Sequence, residues 1–384
     1  MQSEKKFDEI RPYRDDEVAE VMKRLVADPI FDEVLMTLYQ TRERVEEIKA
    51  ALLLTYNVDD FQTRFMLPYL DKIIENSTEG ISIGGLENID PNKSYVFISN
   101  HRDIILDAAL MNVEIKKAGL NTTEIAIGSN LLIYQWITDM VKLNRAFVVK
   151  RNIPVKQMLM ASKTLSEYIR HSIQNRGDSV WIAQREGRTK DGNDLTQVSV
   201  LKMMNMSNGA DFETGFRELN LVPLSISYEI EPCGNEKVAE LLKRQNDPDF
   251  SKTEKDDLWS MVSGLKNQKG HVHFEFGKPV VEPLADIAKI GNTNKALKAL
   301  SEYIDVEIYR NFKLWPNNYI AYDIFYKTQK YSDQYTAEEK EKFLDLTHQR
   351  LKLVNEDRDD AMQLWLGMYA VPVFNFENCK CQRK

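Results

Sequence analysis

"YVFISNHRDIILDAALMNV" runs from Tyr95 to Val113, and the fold is read outward from it. Its first five residues, aromatic and β-branched, predict a strand. The polar run Asn100-His101-Arg102-Asp103 ends that strand, and the apolar residues behind it predict a helix. A strand, a polar turn and a buried helix make the opening of an α/β unit. The turn holds one of only five histidines in the chain, with Arg102, Asp103 and Asp107 within six residues. A neutral imidazole accepts a proton near neutral pH, and a neighbouring carboxylate orients it and stabilises the imidazolium that forms. Alternatively, Asp103 caps a helix starting at Ile104, and His101 is a polar loop residue. This window alone leaves both readings open.

Similar short runs follow: EIAIG (124–128), RAFVVK (145–150), SVWIAQ (179–184), LVPLSISYE (221–229) and HVHFEFGKPV (271–280). Helical stretches separate most of them. The expected fold is therefore α/β, with a central, mostly parallel sheet flanked by helices and buried on both faces. Ligands of such sheets sit beyond the carboxyl ends of the strands, where His101, Arg151 and Glu186 all fall. Residues 1–80 form an N-terminal helical segment, with a break at Asp28-Pro29. The α/β domain spans 81–282, and 283–384 reads as a C-terminal helical segment closing on the apolar tail AMQLWLGMYAVPVFNF (361–376).

Composition narrows the function. A formal charge of −8 argues against a nucleic-acid partner, whose footprint is basic. Three cysteines, Cys233, Cys379 and Cys381, do not staple a secreted fold. The opening residues carry no apolar leader, and no run reaches the roughly 18–20 apolar residues of a membrane span. A cytoplasmic location is expected, with peripheral attachment to the inner face of the cell membrane as its variant. No metal is expected: the tail Cys-x-Cys lacks further ligands nearby, and His271, His273 and Glu275 fall on the wet face of an alternating strand. The phosphate loop of ATPases, the dinucleotide fingerprint, the serine-hydrolase elbow and the zinc-protease motif are absent from the sequence.

Two further stretches carry chemistry. Between Lys142 and Ser166 lie six basic residues and no acid. Lys150 and Arg151 sit there at a strand exit, where a phosphate-bearing ligand would be met. Glu186-Gly187-Arg188 follows the next strand. Gly187 permits close backbone approach, and Arg188 or Lys190 would bind an anion. Solvated basic faces and a mixed-charge surface turn are the plainer alternatives.

Taken in order, SNHRDIILD, AFVVKR, REGR and NLVPLSISYE resemble the glycerophospholipid acyltransferase superfamily, the glycerol-3-phosphate and lysophosphatidate acyltransferases. That family pairs a strand ending in His-x4-Asp with a Phe-Ile-x-Arg block, a Glu-Gly-x-Arg block and a proline-bearing strand. The resemblance covers about 80 to 280. Two departures stand out: Asp107 lies six residues after His101 rather than five, and Gly187 and Arg188 are adjacent. The acid serving His101 is thus Asp107 or Asp103. The resemblance implies O-acyl transfer from acyl-CoA or acyl carrier protein to a hydroxyl of glycerol-3-phosphate or a lysophospholipid. It implies His101 as general base, and Arg102, Lys150, Arg151, Glu186, Gly187, Arg188 and Lys190 around the acceptor. It calls for no cofactor, because a thioester is already activated. A non-phosphate acceptor such as an aminolipid, or a non-catalytic lipid-binding role, are the alternatives. Lipid products imply a membrane surface as partner, met either by the tail (Trp365, Leu366, Met368, Tyr369, Phe374) or by the N-terminal helices. The tail packed on the domain is the competing expectation.

Overall fold

The computed structural model describes residues 4–247, 249–354 and 358–381. Seven strands form one sheet: β1 (Gly80–Gly84), β2 (Val96–Ser99), β3 (Glu124–Gly128), β4 (Ala146–Val149), β5 (Val180–Ala183), β6 (Leu221–Tyr228) and β7 (His271–Phe276). Their order across the sheet is β1-β7-β6-β2-β5-β3-β4. All neighbouring pairs are parallel except β6 and β7. Strands β2 to β6 therefore present their carboxyl ends along one edge, and β2 is the central strand of the seven.

Alternation along each strand divides the core in two. On one face Val96, Ile98, Val180 and Ile182 pack with Phe147, Tyr168, Leu201 and Leu300. On the other, Phe97, Trp181, Val222, Leu224 and Phe274 pack with Leu106, Leu110 and Met111. Burial on both faces explains why all eight residues of β6 are buried and why all but Tyr228 are apolar or small, as sheets covered by helices require. β7 lies one strand from the edge and keeps the alternation the sequence predicts, with Val272, Phe274 and Phe276 buried. His271 meets Glu229 at 2.6 Å, and His273 lies between Ser82 and Glu275.

The N-terminal helices gather Val18, Met22, Leu25, Phe31, Leu35, Val45 and Phe61 into a cluster of their own that also takes in Leu143. Asp28 ends one of them and caps the next: its carboxylate accepts from Ile30 and Phe31 N–H at the start of the helix Pro29–Tyr39, with proline at the first helical position. The C-terminal helices form another cluster around Phe343, Trp365 and Tyr369. This answers the question of the tail. Trp365, Leu366, Met368 and Tyr369 are all buried, packed on the helix Gly234–Asn246 and the helix Pro316–Phe325. Of the five tail residues only Phe374 is exposed, so the other four belong to the core. Cys379 is buried, and the Cys381 side chain lies outside the described residues.

Candidate active site

The exit of β2 is a turn held from both sides. Asn100 is fully buried and clamps β6, accepting from Ile226 N–H at 2.8 Å and donating to Ile226 C=O at 2.9 Å. His101 C=O accepts from Thr189 N–H at 2.8 Å, which fastens the loop after β5 to the histidine. Within the turn the two acids divide the work. Asp103 Oδ1 accepts from Ile105 and Leu106 N–H at 2.9 and 2.8 Å, closing the start of the helix Leu106–Lys117. Asp107, one residue into that helix, reaches back: its Oδ2 lies 2.8 Å from His101 Nδ1 and accepts from Arg102 and Asp103 N–H at 2.7 and 3.1 Å. The six-residue spacing is absorbed by this turn, and Asp107 is the acid that meets the ring. Asp103, the other candidate partner, is turned to the backbone, to Cys233 and to Gly264. A side chain at Gly264 would collide with the Asp103 carboxylate.

Asp107 has one more partner, which sequence reasoning missed. Tyr228, the last residue of β6, donates its hydroxyl to Asp107 Oδ1 at 3.0 Å. Burial, and then the charge of Asp107, push the Tyr228 pKa far above the usual range, so the phenol remains a donor. No short motif marks it; a tyrosine closing an apolar strand reads as core.

The cations separate into three kinds. Arg102 was expected at the acceptor, but it points into the protein, 1% exposed, between Asp194 and Glu231. Burial opposes its charge, and the Asp194 and Glu231 carboxylates outweigh that and raise its pKa. Glu231 also takes Lys237 at 2.5 Å, and its N–H donates to the Tyr369 hydroxyl. Arg102 is therefore a structural tie between the histidine turn and the C-terminal helices. Lys150 pairs with Glu9 at the surface, and Lys190 pairs with Glu240 at 2.7 Å. Burial first lowers the Lys190 pKa, against the pull of Glu240.

Arg151 and Arg188 line the same groove as Lys150 and Lys190. Arg151 follows β4, is 2.9 Å from Glu186, and its N–H donates to Ser129 Oγ. Arg188 is 4% exposed, and its buried Nη1 has no hydrogen-bond partner among the described residues. Gly187 before it has φ +69°, a left-handed turn that suits glycine and sets the direction of the adjacent arginine. These groups line one groove of about 2110 Å³ with His101, Lys150, Glu186 and Lys190. Apolar side chains make up part of its other walls: Ile30, Leu38 and Phe65 from the N-terminal helices, and Leu258 and Met261 from the helix Glu254–Lys266, among charged neighbours such as Arg44, Glu47 and Asp257. Among the described residues one cluster of potential metal ligands exists, Glu79, Glu229 and His271. None of the three lines the groove.

A carboxylate-paired histidine and two arginines thus border a groove with apolar side chains in its walls, and a family match covers strands β1 to β6. Residues 80–227 match the family model described as Acyltransferase. That stretch of the chain is similar to the acyltransferase domain of glycerolipid acyltransferases. Over 250 residues it is 24% identical to the glycerol-3-phosphate acyltransferase of Pseudomonas paraeruginosa, covering 62% of this chain and 28% of the relative. It is 22% identical over 271 residues to that of Pseudomonas syringae pv. tomato, covering 68% and 31%, and 25% identical over 231 residues to that of Xanthomonas axonopodis pv. citri, covering 60% and 24%. The chain thus spans under a third of the length of these curated relatives. The crystal structure of the 1-acyl-sn-glycerophosphate acyltransferase of Thermotoga maritima aligns with a TM-score of 0.37 at 13% identity, over 74% of this chain and 92% of that one. No helix among the described residues is long and apolar enough to cross a membrane.

Proposed function

We propose that this acyltransferase moves a fatty acyl group from a thioester, acyl-CoA or acyl carrier protein, to a hydroxyl of glycerol-3-phosphate or a lysophospholipid. The observation that carries the reading is the 2.8 Å contact between His101 Nδ1 and Asp107 in a groove with polar and apolar parts. Asp107 accepts a hydrogen bond from His101 Nδ1–H, which fixes the tautomer with Nε2 as the basic nitrogen. That nitrogen takes the proton from the acceptor hydroxyl as its oxygen attacks the thioester carbonyl. The C–O bond forms, the C–S bond breaks, and the imidazolium returns the proton to the leaving thiolate. Arg151 and Arg188 hold the acceptor's phosphate and so place its hydroxyl, with a rate gain from orientation alone. Glu186 holds Arg151 in place. The apolar walls receive the acyl chain.

The test is purified protein with acyl-CoA and with acyl carrier protein as donor, against glycerol-3-phosphate and lysophosphatidate in parallel. Acyl transfer to one or both, abolished in His101→Ala, is the expected result. Transfer that persists in His101→Ala overturns the mechanism. Transfer only to acceptors without phosphate overturns the assignment of the arginines.

A further inference from the structure

The helix Val155–His171 begins four residues after Arg151, and its two sides differ. Leu165, Tyr168 and Ile169 are buried in the core, and Met158, Ala161, Ser162 and Leu165 line the groove. The outward side carries Val155, Leu159 and Met160, which are 81%, 68% and 68% exposed. Residues 156, 160 and 163 follow one stripe of this helix, and 155 and 159 lie beside it. The exposed face is therefore apolar residues flanked by Lys156 and Lys163. Neither lysine has an acidic partner among the described residues, and the sequence from Lys142 to Ser166 contains no acid.

Exposed apolar side chains grouped on one face mark an interaction surface. Elsewhere the protein also exposes Leu53, Leu54 and Tyr56 after the N-terminal helix Arg42–Leu53. There the charges cancel: Arg42 pairs with Asp32 and Glu46, Arg44 with Glu47, and Lys49 with Asp32. The helix at Val155 is different because its apolar residues come with unpaired positive charge, in a chain whose net charge is −8. An apolar stripe between lysines is complementary to a surface that is anionic outside and hydrocarbon beneath.

We infer that Val155, Leu159 and Met160, flanked by Lys156 and Lys163, dock the protein onto an anionic lipid surface, with the groove mouth at Met158 held against it. The inference deepens the proposed reaction: the acyl chain of product or substrate passes between groove and bilayer without crossing water. It also replaces the tail, which is buried, with a specific surface beside Arg151.

The experiment is co-sedimentation of the full chain with vesicles of phosphatidylcholine alone, and with phosphatidylglycerol at roughly one-third of the lipid. The wild type is expected to partition onto the phosphatidylglycerol vesicles, less so as salt rises. Leu159→Glu/Met160→Glu should reduce partitioning at least about tenfold. Lys156→Glu/Lys163→Glu should remove the preference for phosphatidylglycerol. In lipid-free buffer, both variants should turn over a water-soluble short-chain acyl-CoA with glycerol-3-phosphate as the wild type does, because these four side chains lie outside the groove. That arm separates the two proposals: a protein inactive on soluble substrates that still binds vesicles through Leu159 and Met160 refutes the reaction and keeps the surface. Equal vesicle binding by the glutamate variant and the wild type overturns the surface, as does a wild type that ignores both vesicles. A self-association, or a complex with acidic acyl carrier protein, that the glutamate variant dissolves without any vesicle binding assigns the face to a protein partner and also overturns it.

Discussion

Tyr228 and Asp107 lie 121 residues apart in the chain and meet at 3.0 Å, hydroxyl to carboxylate. Four donors converge on Asp107: the His101 ring, the Arg102 and Asp103 backbone N–H groups, and this phenol. The carboxylate has little freedom to turn away from the ring. Tyr228 is a positioning residue in this scheme, since it touches the acid and not the reacting atoms. Tyr228→Phe keeps the ring in the core and removes one hydrogen bond to a charged group, so kcat is expected to fall about tenfold. Acceptor KM should stay within twofold or so, because the phosphate contacts are untouched. Steady-state kinetics check both; a rise in KM with unchanged kcat would refute the role.

The two acids of the turn predict opposite signatures. Asp107→Asn should lower kcat by about two to four orders of magnitude, the range for loss of a working acid–base group. Asp103→Ala removes a helix-start contact, costing about 1 kcal/mol of stability, and should leave kcat per folded molecule nearly intact. Denaturant melts beside initial rates distinguish them. Loss of activity in both with no loss of stability in either would mean that both carboxylates serve the ring.

Arg102 and Arg188 are both buried and should respond in opposite ways. Arg102→Ala leaves Asp194 and Glu231 without their shared counter-charge, so a destabilisation of about 3–5 kcal/mol is expected. Arg188→Ala removes a guanidinium whose Nη1 is unpartnered. Its main effect should be a rise in KM for a phosphate-bearing acceptor of at least about tenfold, with a smaller shift in melting temperature. Thermal melts and acceptor titrations read the two effects separately. A larger stability loss in Arg188→Ala than in Arg102→Ala would contradict this division.

Asp305, on the helix Thr293–Asn311, accepts from Thr196 N–H at 2.7 Å and so braces the segment leading out of the Arg188 loop. Burial pushes its pKa from 3.8 up to about 6. The folded state then holds this proton where the unfolded chain has released it. Its contribution to stability is full below pH 3.8 and is lost as pH rises towards 6. Asp305→Asn mimics the neutral acid and should flatten that part of the stability–pH curve. Above about pH 6 the variant should be more stable than wild type by about 1–3 kcal/mol. Urea melts at intervals between about pH 4 and about pH 7 test this; parallel curves for the two proteins would refute it.

Much of this protein is written in local patterns. Strand β2 and the helix behind it, the alternation of β7, and the Asp28-Pro29 break each depend on neighbours a few residues away, so period and turn chemistry reveal them. The His101, Arg151 and Glu186 windows were legible for a related reason. Each follows a strand, and parallel strands collect their exits along one edge. What only tertiary structure decided concerns partners far apart in sequence. Arg102 beside His101 looks like a ligand-binding cation until Asp194 and Glu231 arrive from other strands' loops to bury it. Asp103 and Asp107 are equally near the histidine in sequence, and the path of the turn separates their roles. Trp365 and Tyr369 look like a lipid anchor in a one-dimensional reading, and a second helical layer makes them core. Exposed apolar surface is a property of what remains uncovered after packing. For that reason the face at Val155, Leu159 and Met160 emerged only from the folded chain.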